Sequence, residues 1–247
     1  MKAAAADQER LLELQTLDTR LDRLVHRRRT LPELAELERI ETRLAELHDE
    51  IVAAETEDGD LARDQKKLEN EVDMVRSRAE RDQQRLDAGQ VSTPKELENL
   101  QSEIASLGNR QAELEDKVLE LMESREQVQS RLGEAQAERD RLHGERTDTE
   151  KHRDEAFAEI DAETKSTTNE RAALAGSLPA DLTSLYEKVR ETHNGVGAAA
   201  LARGRCEGCH LQLDAVQLRD IAAASPDEVL RCDECRRILV RTAHSGL

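Results

Sequence analysis

A seven-residue repeat of apolar positions runs through most of the chain and constrains its fold more than any other feature. From Leu37 to Leu86 the apolar residues recur in steps of three and four, and a second series runs from Leu97 to Ile160. A repeat of this period keeps one narrow stripe facing a partner helix, which is the pattern of a coiled-coil seam. The sequence therefore predicts two long helices that each bury one apolar stripe.

Turn signals lie between the two series. Gly89 can end the first helix in the left-handed conformation. Thr93 can cap the second helix, Pro94 suits its first position, and Glu96 completes a capping box. Stop and start signals this close together predict an antiparallel hairpin with its tip near residues 88–94. A continuous helix that dimerises in parallel is the alternative.

The first arm carries its own break, near residues 30–32. Thr30-Leu-Pro-Glu33 reads as a second capping box, which predicts one helix over about 5–29 and another from about 31 to 87. The basic run His26–Arg29 suits a solvated helix end, with an anion-binding patch as the alternative. Polar residues inside the seam are expected to set the register or to form ion pairs with residues opposite. These polar positions are Asp58, Gln65, Asp82, Gln111, Arg125, Arg139, Arg146, Thr149 and Arg153.

The composition excludes a large aromatic core, and the distribution of charged residues shows where the net negative charge lies. The chain has no Trp, one Phe and one Tyr, while 37% of its residues are charged. Its net charge of −17 lies in the helical part, because the segment 178–247 has nine Arg plus Lys and ten Asp plus Glu. Such acidity disfavours wrapping of nucleic acid by the helices. Without a signal peptide or a span of roughly 18 apolar residues, we expect a cytoplasmic chain that does not cross a membrane.

The last part of the chain, residues 176–247, is predicted to be a separate zinc domain, and residues 1–175 the hairpin. A short helix begins near Ser177 and ends near Gly195, and residues 197–203 read as a strand. Two Cys-x-x-Cys motifs follow, separated by 22 residues. Two such turns can supply four sulfur ligands to one tetrahedral, structural Zn²⁺. The predicted ligands are Cys206, Cys209, Cys232 and Cys235.

Other uses of these cysteines fit less well. Disulfides are rare in cytoplasmic proteins, and a redox dithiol would need an α/β core that the sequence lacks. Iron in place of zinc and a haem attached through Cys206–His210 are the remaining alternatives. A RING-type ligase needs two zinc ions, whereas four cysteines hold one. The chain also has no phosphate-binding glycine loop and no Ser/His/Asp or HExxH arrangement, so we expect a protein that is not an enzyme.

Arginine residues surround the cysteine motifs and are candidates for contact with nucleic acid or a protein partner. Arginine suits phosphate contacts, although the sequence offers no aromatic residue there for base stacking. Compensation of the negative thiolates is the alternative role. The candidates are Arg203, Arg205, Arg231, Arg236, Arg237 and Arg241.

Three segments carry a resemblance to a known family: 91–104 at the turn, Leu185–Arg190, and Cys206–Leu239. There the chain resembles a bacterial family of coiled-coil hairpin proteins with a C-terminal zinc ribbon of the four-cysteine type (zf-RING_7-like). Arg236 stands where the family more often has Gly. The resemblance implies a scaffold or chaperone-like role. Some members in flagellated and chlamydial bacteria are associated with the alternative sigma factor sigma-54, and flagellar members also with messenger RNA.

These observations predict a mainly α protein: a long antiparallel coiled-coil hairpin with a small zinc-ribbon domain of short strands and helices. The expected function is that of a zinc-binding adaptor for a protein partner in transcription or nucleic-acid metabolism. Direct binding of RNA or DNA through the basic ribbon is the alternative. The sequence is compatible with a monomer and with a homodimer.

Overall fold

The structure, a computed structural model, describes residues 1–247. Long helices dominate it, and short strands gather near the C-terminus. The elements are α1 Ala5–Arg29, α2 Pro32–Asp87, α3 Pro94–Gly176, α4 Ala180–Thr192, β1 Ala198–Ala202, β2 Arg205–Cys206, α5 Ala215–Ala223, β3 Leu230–Arg231 and β4 Ile238–Arg241. The predicted fold class, a helical hairpin followed by a small strand-containing region, is confirmed. None of the helices has an apolar stretch that could cross a membrane.

The chain forms two compact units, one of residues 1–34 with 150–247 and the other of residues 35–149. In the second unit, α2 and α3 run antiparallel and bury the predicted stripe, with Leu47 and Leu142 in one cluster. The polar interruption at Arg125 pairs across the seam with Asp58, with 2.9 Å between Nε and Oδ1. This confirms the expected pairing for that position. Arg139, by contrast, bonds to its chain neighbour Asp140.

The hairpin tip has the geometry that its residues predict. Gly89 adopts a φ of +65°, which a residue with a Cβ rarely takes. The Glu96 N–H donates to the Thr93 hydroxyl at 3.2 Å, and the Thr93 N–H donates to the Glu96 carboxylate at 3.1 Å. The predicted capping box at the start of α3 is therefore confirmed.

The break between α1 and α2 falls between Arg29 and Pro32, but the predicted capping box at Thr30 is wrong. The Thr30 hydroxyl donates to the His26 carbonyl at 3.0 Å and so closes the end of α1. A carboxylate oxygen of Glu33 is buried without a hydrogen-bond partner. The Thr-x-x-Glu pattern is local, whereas here the hydroxyl is taken by the preceding helix.

The basic run at the end of α1 finds its partners on α3. The guanidinium of Arg28 lies over the Phe157 ring, 4.2 Å from its centroid, and pairs with Asp161. These contacts, together with the buried packing of Leu24 against Ile160, join α1 to the C-terminal part of α3. All of these residues belong to the unit formed by residues 1–34 and 150–247. They favour the structural interpretation of the run over an anion-binding patch.

The ribbon is a four-stranded sheet in the order β2-β1-β4-β3, with β1 and β4 parallel and both outer pairs antiparallel. One face packs on α1 and α4, and the other face on α5 and the cysteine turns. The first face contributes Ala198, Ile238 and Val240, which meet Leu11, Leu14, Leu182 and Tyr186. The second contributes Ala199, Leu201 and Leu239, which meet Ile221 and the cysteines. Both faces of this small sheet are thus buried.

The first residues of the chain extend the sheet beyond β3. The Ala3 N–H donates to the Asp227 carbonyl at 2.8 Å, and the Val229 N–H donates to the Met1 carbonyl at 3.1 Å. Lys2 lies opposite Glu228 in an antiparallel bridge. Sequence reasoning did not predict this pairing, which joins residues from opposite ends of the chain.

Candidate metal centre

The four cysteines converge from two similar turns, one after β2 and one between β3 and β4. All four Sγ atoms lie within 4.8 Å of one another. The Sγ atoms of Cys206 and Cys235 are 3.9 Å apart, as are those of Cys209 and Cys232. In a tetrahedral site with Zn–S bonds of roughly 2.3 Å, neighbouring sulfurs lie about 3.8 Å apart. Both the donor set and the spacing therefore fit one structural Zn²⁺.

Backbone hydrogen bonds shape both turns in the same way. The His210 N–H donates to the Cys206 carbonyl, and the Arg236 N–H donates to the Cys232 carbonyl, each at 2.8 Å. The residue after each second cysteine takes a left-handed backbone, with φ of +61° at His210 and +60° at Arg236. This explains why a glycine would be favoured at position 236, since an ordinary residue there costs about 1 kcal/mol. His210 is exposed, as predicted for a neighbour of the site.

The thiols differ in how readily they ionise. Burial raises the pKa of Cys206 to about 12, and it also raises the pKa of Cys232. Burial acts in the same direction on Cys235, but hydrogen bonds from Arg237, through its backbone and side chain, and from the Cys232 and Cys209 thiols together outweigh it and lower the pKa to about 7. A zinc ion would thus displace protons as it binds, and acid opposes its retention. Four thiolates fill a tetrahedral shell, which is typical of a structural site.

The predicted arginines occupy different positions. Arg237 donates to the carbonyls of Val196 and His193 at 3.2 and 3.3 Å. Arg241 is half-buried and donates to four carbonyls at the end of α5 and in the loop after it, which are those of Ile221, Ala224, Ser225 and Glu228. Both side chains hold the backbone of the ribbon.

The other four predicted arginines, Arg203, Arg205, Arg231 and Arg236, are exposed. Arg205 lies 3.8 Å from Glu207, and Arg236 lies 3.8 Å from Asp233. Arg231 donates through Nε to the Arg236 carbonyl at 2.7 Å. Acidic neighbours thus reduce the positive potential around the cysteine turns. A role for these four residues in binding stays a prediction.

A buried polar network that sequence reasoning missed anchors the ribbon to α1. The side chain of Asp18 is only 1% exposed and accepts hydrogen bonds from the Tyr186 hydroxyl and from Arg171 Nε, both at 2.7 Å. Gln15 accepts from the Gly197 N–H at 2.7 Å and donates to the Gly195 carbonyl at 2.9 Å. Burial, followed by the hydrogen bond to Asp18, raises the pKa of Tyr186. The network holds the start of β1 in place.

Family comparisons agree with this architecture. Residues 14–194 match the CT398-like coiled coil hairpin domain, and residues 205–239 match the C4-type zinc ribbon domain. An uncharacterized protein of Mycobacterium tuberculosis is 37% identical over 245 residues, which cover 98% of each chain. An uncharacterized protein of Mycobacterium leprae is 28% identical over 221 residues, or 90% of this chain and 94% of that one. None of these family or protein descriptions names a catalytic activity.

Solved structures show the same fold. A Mycobacterium smegmatis protein superposes with a TM-score of 0.81 at 34% identity and covers 98% of this chain and 100% of its own. CT398 from Chlamydia trachomatis superposes with a TM-score of 0.69 at 19% identity, covering 96% and 98%. The hairpin family matches well over half of the chain. The chain therefore belongs to the CT398-like coiled-coil hairpin family and carries a C4-type zinc ribbon.

Proposed function

We propose that this chain is a non-catalytic zinc-binding adaptor that binds a basic protein partner in transcription or another nucleic-acid process. The distribution of charge carries the proposal. Residues 35–149 contain 31 Asp plus Glu and 17 Lys plus Arg, so this one unit holds 14 of the 17 net negative charges. A surface of this kind attracts cationic proteins and repels the phosphates of nucleic acid.

The internal ion pairs of this unit leave much of the negative charge available. Arg43 pairs with Glu138 and Arg76 with Glu115 across the two arms. Many other carboxylates on the arms are exposed and stand outside the ion pairs, among them Glu55, Glu123 and Glu126. Because exposed charges cost little to bring near an opposite charge, they suit reversible binding of a basic surface.

The resemblance supports the class of partner. Some members of the family that the chain resembles, in flagellated and chlamydial bacteria, are associated with sigma-54. From this resemblance we take only the class of partner, which is a component of the transcription machinery. The ribbon supports a binding role in two ways. Its four cysteine ligands leave no open coordination position on the zinc for catalysis, and its sheet is anchored on α1, so it presents a rigid surface to a partner. A cytoplasmic location, where thiols stay reduced, suits such a site.

The test captures partners from native cell extract on zinc-loaded protein, with and without nuclease, and repeats the binding with the purified partner. One variant carries Glu55→Lys, Glu123→Lys and Glu126→Lys. Its matched control carries the same charge change in the other unit, as Glu9→Lys, Glu13→Lys and Glu191→Lys. We expect to capture a basic protein whose binding persists after nuclease treatment. This protein should bind the first variant at least about tenfold more weakly than it binds the wild-type chain, a change of about 1.4 kcal/mol in binding free energy.

A second variant tests the alternative function. Arg203→Ala, Arg205→Ala and Arg236→Ala remove exposed arginines while leaving Arg237 and Arg241, which hold the backbone. Recovery of nucleic acid that this variant loses, with no protein partner left after nuclease, would refute the adaptor and assign the ribbon to nucleic-acid binding.

A further inference from the structure

One flank of the hairpin departs from the pattern of a two-helix seam. In a two-stranded coiled coil the apolar stripe is narrow, and the positions beside it are charged or polar. Val118 of α3 belongs to the seam, whereas Leu119 and Met122 lie beside it and are nevertheless apolar. Their exposed fractions are 56% and 40%. Because residues three apart on a helix are neighbours, Leu119 and Met122 form one exposed apolar patch.

A groove joins this patch to α2. Its volume is about 310 Å³, and its apolar lining comes from Val72, Val118 and Leu119. Val72 is buried in the seam, so the groove reaches from the exposed patch to the contact between the two arms. An apolar side chain of a partner that entered this groove would therefore touch both helices.

The charged residues that line the groove are already paired. Arg76 donates to Glu115 at 3.1 Å and lies 3.7 Å from Asp73. Glu69 lies 3.5 Å from Lys66. Because these pairs balance the charges of the groove itself, a charged partner has to be attracted by residues beyond its ends.

Two unpaired carboxylates continue the same flank. Glu55 precedes Glu69 by two heptads, so both lie on one side of α2. Glu126 follows Leu119 by one heptad, and it follows Met122 by four residues, which is about 6 Å along α3. A basic side chain one helical turn beyond the apolar contact would therefore reach Glu126.

The two carboxylates lie at the same end of the groove. The pair of Asp58 with Arg125 fixes the register of the arms here, and Glu55 and Glu126 each lie within three residues of that pair. Both are exposed and stand outside the ion pairs. An excess of negative charge thus stands one turn beyond the apolar patch.

The opposite flank of the same arms suits a basic partner less well. The groove on that side is lined by Lys67 and Lys117 as well as by carboxylates. These lysines would repel basic side chains. Met74 follows Lys67 by one heptad and so lies on this opposite flank, where it is exposed.

The chemistry of the arms determines what can lie in the groove. The backbone N–H and C=O groups within α2 and α3 bond along each helix, so an extended segment finds no backbone to pair with. A groove between two antiparallel helices runs along their axes and matches a third helix, which presents side chains every three or four residues. A second copy of residues 35–149 would bring another 14 net negative charges against those described above, and like charges repel.

We propose that the flank around Leu119 binds an amphipathic helix of a partner protein, with an apolar stripe and basic residues beside that stripe. The stripe packs on Leu119 and Met122. Basic residues beside the stripe and one turn beyond it meet Glu55 and Glu126. The inference rests on the proposed function and deepens it, because it names the surface that the basic partner contacts and the secondary structure that the partner presents.

The test uses the zinc-loaded full chain and three synthetic peptides of roughly 20 residues, long enough to form a helix on binding. The basic peptide is three copies of Leu-Lys-Lys-Leu-Ala-Lys-Lys. The acidic peptide has Glu in place of every Lys, and the shuffled peptide keeps the basic composition without an apolar stripe. We expect saturable binding of the basic peptide, at least about tenfold weaker binding of the shuffled one, and no binding of the acidic one.

Methyl NMR of the methionines locates the binding surface. The chain has three methionines, Met1, Met74 and Met122. The basic peptide should shift the Met122 methyl signal and leave that of Met74, on the opposite flank, unchanged. Equal shifts of the two signals, equal binding of the acidic or shuffled peptide, or no saturable binding of the basic one would each refute the proposal.

One pair of variants tests the apolar contact. Leu119→Gln removes the apolar side chain and keeps a good helix former at an exposed position. This change should weaken binding of the basic peptide at least about tenfold. The matched control Met74→Gln removes an exposed apolar side chain from the opposite flank and should leave binding unchanged. Wild-type affinity in Leu119→Gln would refute the proposal.

A second pair of variants tests the charges. Glu55→Lys combined with Glu126→Lys should weaken binding of the basic peptide about fivefold. The matched control, Asp64→Lys combined with Glu120→Lys, makes the same charge change in the groove of the opposite flank. It should weaken binding less than about twofold, because salt screens exposed charges beyond roughly 8 Å. Equal losses in both double variants would show attraction to the net charge alone and would overturn the proposal.

Two further outcomes separate this proposal from the adaptor role. A basic partner from extract that binds wild type and Leu119→Gln equally would refute this surface and leave the adaptor standing. A Met122 methyl signal that shifts with protein concentration in the absence of peptide, with a doubled mass in light scattering, would assign the flank to a second copy and likewise overturn the proposal.

Discussion

Asp18 joins α1 to α3 and α4 in one place, so removing its charge measures how firmly these three helices are held together. Asp18→Asn keeps the size of the side chain and removes the negative charge. The carboxylate accepts from Tyr186 and Arg171 at 2.7 Å and lies 3.4 Å from Arg190 Nε. The variant leaves two partly buried guanidinium groups without their shared partner.

The size of the effect follows from what these groups retain. Breaking a buried ion pair by removing one partner costs about 3–5 kcal/mol. Arg171 keeps Glu187 and Arg190 keeps Asp22, and both arginines are partly exposed. We therefore expect the lower end of the range, a loss of about 3 kcal/mol in the free energy of unfolding of this unit.

Tyr186 makes the measurement local, because it is the single tyrosine of a chain without tryptophan. Urea unfolding is followed by tyrosine fluorescence, which reports on the unit formed by residues 1–34 and 150–247. The control is Glu163→Gln, which breaks the exposed pair with Arg20 and should cost under about 1 kcal/mol. A loss for Asp18→Asn no larger than that of the control would refute the argument that Asp18 holds these helices together.

Three further predictions address the metal, the packing and the pH dependence. Cys232→Ser should lower the zinc content below one ion per chain and abolish the protection of β4 amides from hydrogen exchange. The far-UV circular dichroism should change little, because the hairpin helices remain. Amide protection in the variant equal to that of wild type would contradict this prediction. Gly197→Ala should lower the free energy of unfolding in urea by about 1–3 kcal/mol. A Cβ at position 197 would lie 2.7 Å from the Tyr186 ring and 2.9 Å from the Tyr186 carbonyl oxygen. The control Gly144→Ala places its Cβ in open space and should not destabilise the protein. Since the pKa of Tyr186 is raised above its unfolded value of about 10, the free energy of unfolding should fall as pH rises beyond about 10, and Tyr186→Phe should remove that part of the decline; equal declines in both proteins would show that Tyr186 does not contribute.

The features that sequence reasoning reached depend on local spacing. The reversal at Gly89 and Thr93 follows from residues within one turn of each other, and the cysteine turns follow from two Cys-x-x-Cys motifs. Heptad periodicity likewise determines the register, which places Arg125 beside Asp58. Each of these signals lies within a short stretch or a regular repeat, so no knowledge of distant contacts is needed.

The features that it missed depend on contacts between distant segments, or on a short signal that was passed over. Asp214 and Gln217 form a capping box that starts α5, and this Asp-x-x-Gln pattern was available in the sequence. Nothing local distinguishes Arg241, which holds backbone carbonyls, from Arg205, which is exposed. Gln15 reads as a surface residue until the ribbon covers it.

The anchoring of the ribbon on α1 has a consequence for synthesis on the ribosome. Leu11 and Leu14 emerge among the first residues, but Ile238 and Val240 pack against them at the other end of the chain. The Gln15 side chain bonds to a carbonyl 180 residues later. Such long-range closure is slow, and it leaves apolar surface unprotected in the meantime. The part of α1 around Leu11 and Leu14 therefore lacks its ribbon partners throughout translation of the hairpin, and a chain truncated before the ribbon presents this apolar surface to chaperones and proteases.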